Sequence, residues 1–488
     1  MSRHRLIALA AALLTLLVAA TAAIAGPPSK GGDSTVTLSL GTPSAQGRPA
    51  SRLADAFAAR VKALSKGAIT VEVRYDAQGV IDSSHVDPGT KKLVRMVQSG
   101  TLDFAALWGG TLEFAGVKTL RAYQVPFTIT SKEQAARATT GAIAAQAMKG
   151  FEPAGLTGLA LVPQGLSRLY GVDTKLVPSG LAGMKIRTNY GATSFAVLRA
   201  LGAAPTDANS GAFTNGLADD KIKGFEASFE IAPIFFSRSV TTGDVVLYPL
   251  VTALVANSKA LSKLTPEQRS IIARSAVAAR TATLATWNER NDARRFCKSV
   301  GHRVVTAGSG ETVDLLARSR AVAARFARDP ATGGVIRAIA KLPAGSQDTI
   351  APCGKDVSPS ATPPGVTATL PPSGVYRRTL APNAMRAAGA DEDNIRRNSG
   401  AHTLTIAGEK VTEVGQAASY RFKCDYTLAV KGPRVRLTPD PLSECAGAPY
   451  FFTWALQGRD LIMTWGDAAT FPFADWNKLY NGVWTRAD

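Results

Sequence analysis

The sequence predicts an α/β protein, helices packed on mostly parallel sheets, followed by a small antiparallel β-domain. Three observations lead there. Up to residue 357, strand-like and helix-like segments alternate, the pattern of parallel sheets covered by helices. From Ser358 to Gly374 the chain reads SPSATPPGVTATLPPSG, where proline and small polar residues erase any apolar period and give a semi-rigid spacer. Beyond it, apolar residues recur at every second position, as in antiparallel strands with one face buried.

A length of 488 residues suggests about three globular units. Hydrophobic residues at 45% against 19% charged supply material for packed cores and exclude global disorder. The net charge of +19 is spread along the chain, which suits anionic ligands or anionic cell surfaces better than a nucleic-acid arm. No nucleic-acid partner is expected. With four histidines and four cysteines, a metal centre rich in either is disfavoured, and neither metal nor cofactor is expected.

The elements follow in order. Arg3 and Arg5 head an apolar run from Leu6 to Ala23, and Ala23-Ile24-Ala25 gives a small-x-small cleavage site before Gly26. Residues 1–25 therefore read as a Sec-type signal peptide. A retained membrane anchor is the alternative, and the Pro27-Pro28 break favours cleavage. No second apolar run is long enough to span a bilayer. The expected product is exported, periplasmic or extracellular at the cell surface, with a domain at 26–357, a linker at 358–374 and a β-domain at 375–488.

Thr35–Leu40 alternates as a strand, and Leu53, Phe57, Val61 and Leu64 then share one helical stripe. Ile69, Val71 and Val73 mark a second strand, Lys91–Ser99 a helix closed by Gly100, and Leu102–Leu107 an apolar strand. Ser131-Lys132-Glu133-Gln134 forms a capping box. Thr265-Pro266-Glu267-Gln268 opens a helix that meets no proline or glycine until Gly301, a run of roughly 50 Å able to brace two lobes. Two helices with an unmarked break are the alternative.

After the linker, Leu404 and Ile406, then Val435 and Leu437, sit at period two. Trp454 and Leu456 are separated by Gly458–Asp460 from Leu461, Met463 and Trp465, a hairpin signal. Four of the six tryptophans (Trp454, Trp465, Trp476 and Trp484) fall in the last 35 residues and imply an aromatic core, in a lipocalin-like barrel or a sandwich. In an oxidising compartment the four cysteines allow three pairings, and their spacing favours Cys297 with Cys353 and Cys424 with Cys445.

Catalytic signals are few. Gly308-Ser309-Gly310 lacks the third glycine and the later acid of a dinucleotide loop, so a plain strand-to-helix turn is expected. No G-x-S-x-G elbow or Walker loop occurs, and His85, His302 and His402 are isolated. An enzyme is not expected. The informative stretch is Gly183–Ser228. Arg187 ends the strand-like Gly183–Thr188, just before a helical pattern from Tyr190 to Leu201, and Lys221–Glu226 is a second strand-like piece. An arginine there sits where open α/β sheets bind ligands, and its planar fork matches a carboxylate. Taken alone, Arg187 fits a surface salt bridge better.

From about Thr35 to about Pro343 the chain resembles the solute-binding proteins of tripartite ATP-independent periplasmic (TRAP) transporters, the DctP-like family. The likeness rests on Ile69–Val73 with Gln78-Gly79, Val97–Asp103, Val125-Pro126-Phe127, Leu181–Arg187, Leu201–Pro205, Lys223–Glu226, and Asn257–Leu261 leading into Leu264–Gln268. It implies a two-lobed periplasmic-binding fold, hinged between lobes, that closes over a small organic acid and delivers it to a membrane permease. It gives Arg187 the ligand carboxylate, with Arg168 as a second arginine. The family's G-Q-E-N segment is Gly224-Phe225-Glu226-Ala227 here, so Glu226 is retained while the ligand-contacting asparagine becomes Ala227. Its later aromatic contact becomes Ser210. Trp108 and Tyr190 fall where the family lines its cleft, and either fits ordinary core equally. The expected function is carboxylate capture for transport. A secreted or surface sensor is the alternative, a secreted hydrolase the more remote one.

Overall fold

The computed structural model of the chain describes residues 35–44, 46–75, 88–172, 174–188, 191–208, 213, 216–217, 221–235, 239–298, 302–343, 345–354, 369–387, 395–396, 398–417, 420–431, 434–440, 450–465 and 482–488. Residues 1–25, His85, Tyr190, Ser210, Cys445 and Trp476 lie outside the described residues.

Strand β1 (Val36–Gly41) pairs in parallel with β2 (Ile69–Arg74) and β3 (Phe104–Trp108). Helix α1 (Pro49–Leu64) crosses this sheet and buries Leu53, Ala54, Phe57 and Val61 against Ile69 and Phe104. The Phe57 and Phe104 rings meet edge to face with centroids 5.2 Å apart. Leu64, the last residue of the expected stripe, is instead 38% exposed, because it ends the helix beyond the sheet. Helix α2 (Pro88–Ser99) ends at Gly100, whose φ of +81° favours glycine.

The sheet then departs from simple alternation. Strands β4 (Leu156–Val172) and β9 (Tyr248–Asn257) run antiparallel to each other, and β9 runs antiparallel to β3. Every residue of β9 is buried, as in a strand covered on both faces. From Leu156 to Ser167, β4 pairs with β9; from Arg168 onward it lies between β7 (Gly224–Ala227) and β8 (Ser239–Thr242). The register slips between Pro163 and Leu166. Gly165 sits there with φ +140°, and a Cβ on it would meet the Ser228 Cβ at 2.7 Å. β5 (Lys185–Arg187) is parallel to both β6 (Ala204–Thr206) and β7, and β10 (Arg303–Val305) is parallel to β8. The result is one curled, mixed sheet in two lobes, β1–β3 in one and β5–β8 with β10 in the other, joined by β4 and β9.

Helix α3 (Ala192–Ala200) follows β5. The expected single long helix is two, α4 (Pro266–Thr286) and α5 (Glu289–Lys298). The Thr265 capping box opens α4 as expected, with the Thr265 amide on Gln268 Oε1 at 2.9 Å and the Gln268 amide on Thr265 Oγ1 at 3.2 Å. The break needs no proline or glycine. Trp287 has extended backbone, its indole is buried, and its Nε1 donates to Glu289 Oε2 at 3.0 Å. Asn288 Oδ1 then accepts the Asn291 amide at 3.0 Å and starts α5. The Ser131 box is half formed: Ser131 Oγ accepts the Gln134 amide at 3.2 Å, but Gln134 Oε1 takes the Thr130 amide instead. Gly308 is a plain turn into helix α6 (Ser309–Arg328).

A disulfide joins Cys297 on α5 to Cys353, which bridges to Val304 of β10. Beyond the linker, β11 (Gly374–Leu380), β12 (Gly400–Ala407), β13 (Lys410–Gln416), β14 (Arg421–Lys431), β15 (Arg434–Pro439), β16 (Tyr450–Gln457), β17 (Asp460–Trp465) and β18 (Gly482–Arg486) form a closed antiparallel barrel rather than a sandwich. Closure is made by β11 pairing with β18. Leu404, Ile406, Val435, Leu437, Trp454, Leu461, Met463 and Trp484 fill it. Leu456 shares the period of Trp454 yet is 47% exposed, next to the hairpin at the barrel's end. Cys424 is buried among these residues and disulfide-bonded. Residues 369 and 370 are fastened to the barrel, since Trp454 Nε1 donates to the Thr369 carbonyl at 2.8 Å and Leu370 packs on the core.

Candidate functional site

The carboxyl ends of the parallel strands β5, β6 and β7 lie side by side, with α3 starting just beyond β5. Arg187 is the last residue of β5. Its guanidinium lies over the Phe213 ring, 4.7 Å from the centroid, and its Nε donates to the Ala208 carbonyl at 3.3 Å. The residue is 5% exposed, so it is held inside the second lobe and not in bulk water.

Beside it, Glu226 of β7 gathers three hydroxyl donors. Thr188 Oγ1 donates to Oε2 at 2.8 Å, Ser167 Oγ donates to Oε1 at 2.7 Å, and the Tyr248 hydroxyl donates to the same Oε1. Burial raises the Glu226 pKa above the usual carboxylate range, and the three donors act against that rise. Ser194, in the first turn of α3, lies 3.1 Å from the Tyr248 hydroxyl. Ser167, Thr188, Ser194 and Tyr248 carried no motif. They meet only because β4, β5, α3 and β9 converge here.

Arg168 is not placed as the resemblance implies. Its side chain is 0% exposed, Nη1 donates to the carbonyls of Thr242, Gly243 and Val245, and Nη2 donates to that of Asp348. The guanidinium stacks 4.9 Å from the Phe229 centroid, and its Nε lies 3.6 Å from Glu289 Oε1. A fully buried guanidinium spent largely on main chain stitches β4, β8 and the 345–354 segment together. Burial pushes the Glu289 carboxyl up to about 7, with Arg168 pulling the other way. Ala227 is fully buried, paired across from Arg168. Trp108 ends β3 in the first lobe and is half-buried.

Contacts tie the two lobes across this region. Arg52 of α1 makes a two-pronged pair with Glu230, at 2.6 and 3.0 Å. Glu113 Oε1 accepts from Thr193 Oγ1 at 2.6 Å, while its Oε2 accepts from Arg121 Nε and Nη2 at 2.9 and 2.7 Å. Gly191 has φ +104°, and a Cβ there would sit 2.4 Å from the Gly110 carbonyl. Among the described residues no cluster of three or more His, Cys, Asp or Glu could hold a metal ion, and no helix is long and apolar enough to cross a membrane.

The family model described as bacterial extracellular solute-binding protein, family 7 (DctP), matches residues 40–329. The chain belongs to this family. The match ends before the barrel, so this family 7 chain carries a β-domain outside it. A TRAP periplasmic solute-binding protein from Xanthobacter autotrophicus Py2, solved with bound β-D-galacturonate, is 19% identical with a TM-score of 0.54, covering 62% of this chain and 99% of that one. One from Polaromonas sp. JS666, bound to D-erythronate, is 21% identical with a TM-score of 0.54, covering 64% and 100%. At such identities the likeness is one of fold. The uncharacterized protein y4mM of Sinorhizobium fredii is 29% identical over 196 residues, 38% of this chain, and the match spans only 34% of that relative's length.

Proposed function

We propose that this family 7 chain is exported after loss of residues 1–25 and captures a small organic acid anion, which it hands to a TRAP-type membrane permease. One observation carries the reading: Arg187 stands at the carboxyl ends of three parallel strands, its flat face on Phe213 and its Nε on a backbone carbonyl. A guanidinium held there by its flat face suits a carboxylate, at the position where such sheets receive ligands. The related folds from Xanthobacter and Polaromonas hold carboxylates, galacturonate and erythronate, which fits the same chemistry. Trp108 supplies apolar surface from the opposite lobe.

Pairing a buried guanidinium with a carboxylate costs desolvation, so the pair must be bidentate and the remaining oxygens must find donors. Lobe closure supplies them, and the ligand draws the lobes together to the extent that it binds the closed form better. The Arg52–Glu230 and Glu113–Thr193 contacts are the ones closure makes. Calorimetry with a panel of sugar acids and dicarboxylates tests this. Arg187→Ala and Arg187→Lys each lose about 2–5 kcal/mol of binding, since lysine lacks the fork. Unchanged affinity in Arg187→Ala refutes the assignment. The barrel beyond residue 329 favours a second reading, a surface sensor using the same pocket. Ligand uptake that does not depend on the protein would select it.

A further inference from the structure

A small cavity of about 20 Å³, room for one water-sized group, lies where the end of β3 faces β9. Trp108, Gly110, Leu120, Tyr123, Gln124 and Val251 are among its lining. Gln124 is 7% exposed, and its Oε1 is buried with no hydrogen-bond partner among the described residues. A buried amide oxygen left unpaired costs about 1–3 kcal/mol, so something should meet it.

The surrounding hydrogens fix which amide atom is left over. The Tyr248 hydroxyl is placed to donate to Glu226 Oε1. Ser194 Oγ, 3.1 Å away, stands as a second acceptor for that hydroxyl. It accepts from Gln124 Nε2 at 3.3 Å. The amide nitrogen of Gln124 is thus engaged on Ser194, and Oε1 remains as an acceptor at the cavity. The other hydroxyl there is occupied, since Tyr123 donates to the Ala138 carbonyl at 2.9 Å.

We infer that this cavity is a subsite for a hydroxyl group of the ligand, with Gln124 Oε1 as its acceptor. The ligand class is then a polyhydroxylated carboxylic acid. The group to be bound must be a donor, because Oε1 only accepts. It must be neutral, because no acid or base lines the cavity and a buried ammonium would lack a counter-charge. It must be small, on volume. The inference rests on the proposed carboxylate capture, and it adds that one chain of hydrogen bonds links the two ends of the site: Gln124, Ser194, Tyr248, Glu226 and Thr188, the neighbour of Arg187.

The test is calorimetry on the full chain with D-erythronate and with butyrate, the same carbon chain without its hydroxyls. Wild type is expected to prefer erythronate by about tenfold or more. Gln124→Leu is expected to weaken erythronate about 3- to 10-fold and to leave butyrate within about twofold. Gln124→Met repeats the measurement with the side-chain length kept, and melting curves confirm that each variant is folded. An undiminished preference for erythronate in the folded variants overturns the subsite, as does a wild-type preference for butyrate. In either event loss of both acids in Arg187→Ala leaves the carboxylate anchor standing. Failure of wild type to bind either acid overturns the anchor and the subsite together.

Discussion

Replacing Arg168 by methionine separates the two roles open to this arginine. Its aliphatic stem is kept, and its charge and donors are removed. In the native chain the guanidinium serves four carbonyls, of Thr242, Gly243, Val245 and Asp348, and faces Glu289 at 3.6 Å with no solvent contact. The variant leaves those carbonyls short of donors and Glu289 buried without its cation. Breaking a buried pair from one side costs about 3–5 kcal/mol, with the carbonyls included in that range because such losses do not add. At about 2–4 °C per kcal/mol, the melting temperature should fall by roughly 6–20 °C. Adding Glu289→Gln should recover part of the loss, because the orphaned carboxylate goes with it. Thermal unfolding followed by circular dichroism reads this out, and calorimetry well below the melt reads ligand affinity. A variant that melts like wild type but no longer binds ligand would refute the structural role and return Arg168 to the ligand.

Other outcomes follow from the same physics. The Glu289 carboxyl stands at about 7 and Glu226 is also raised, both through burial, against an ordinary value of 4.5. The folded chain therefore holds these protons more tightly than the unfolded one. The Glu289 contribution is fully present below about pH 4.5 and is lost as pH rises through about 7, so Glu289→Gln should flatten the decline in melting temperature between pH 5 and 8. Reducing the Cys297–Cys353 bond, which closes a 56-residue separation, should cost about 4 kcal/mol by the chain-entropy relation, measured as a drop in denaturant midpoint. The Arg52–Glu230 pair is partly open to water, with side chains 32% and 19% exposed, so Glu230→Gln should weaken ligand binding only about two- to fivefold. Scattering should show a more open average shape in the same variant.

The sequence pattern reached some of this fold and missed the rest for identifiable reasons. The β1–α1–β2 unit was legible because Leu53, Phe57 and Val61 keep a helical period between two alternating strands. The barrel was legible because Leu404, Ile406, Val435 and Leu437 all point inward at period two. β4 was not, because Pro163 and Gly165 interrupt it where it passes between lobes, and nothing local marks a strand that runs through its own slip. The break before α5 was hidden because the buried indole of Trp287 makes it, a tertiary cause with no glycine or proline signal. At the site, Arg187 and Glu226 stood in segments with a readable order. Ser167 and Tyr248 reach the Glu226 carboxyl from 59 and 22 residues away, and Ser194 joins through Tyr248. Only the folded sheet makes them neighbours.

The pairing of β11 with β18 has a consequence for how this chain is assembled from parts. The barrel's entry and exit strands are neighbours, so the module zips shut on itself and presents no raw rim to which a stray segment could adhere. Among the described residues its ladder shares no rung with the sheet of the two lobes. The barrel is thus a detachable cargo, and its gain or loss leaves the binding lobes' sheet untouched.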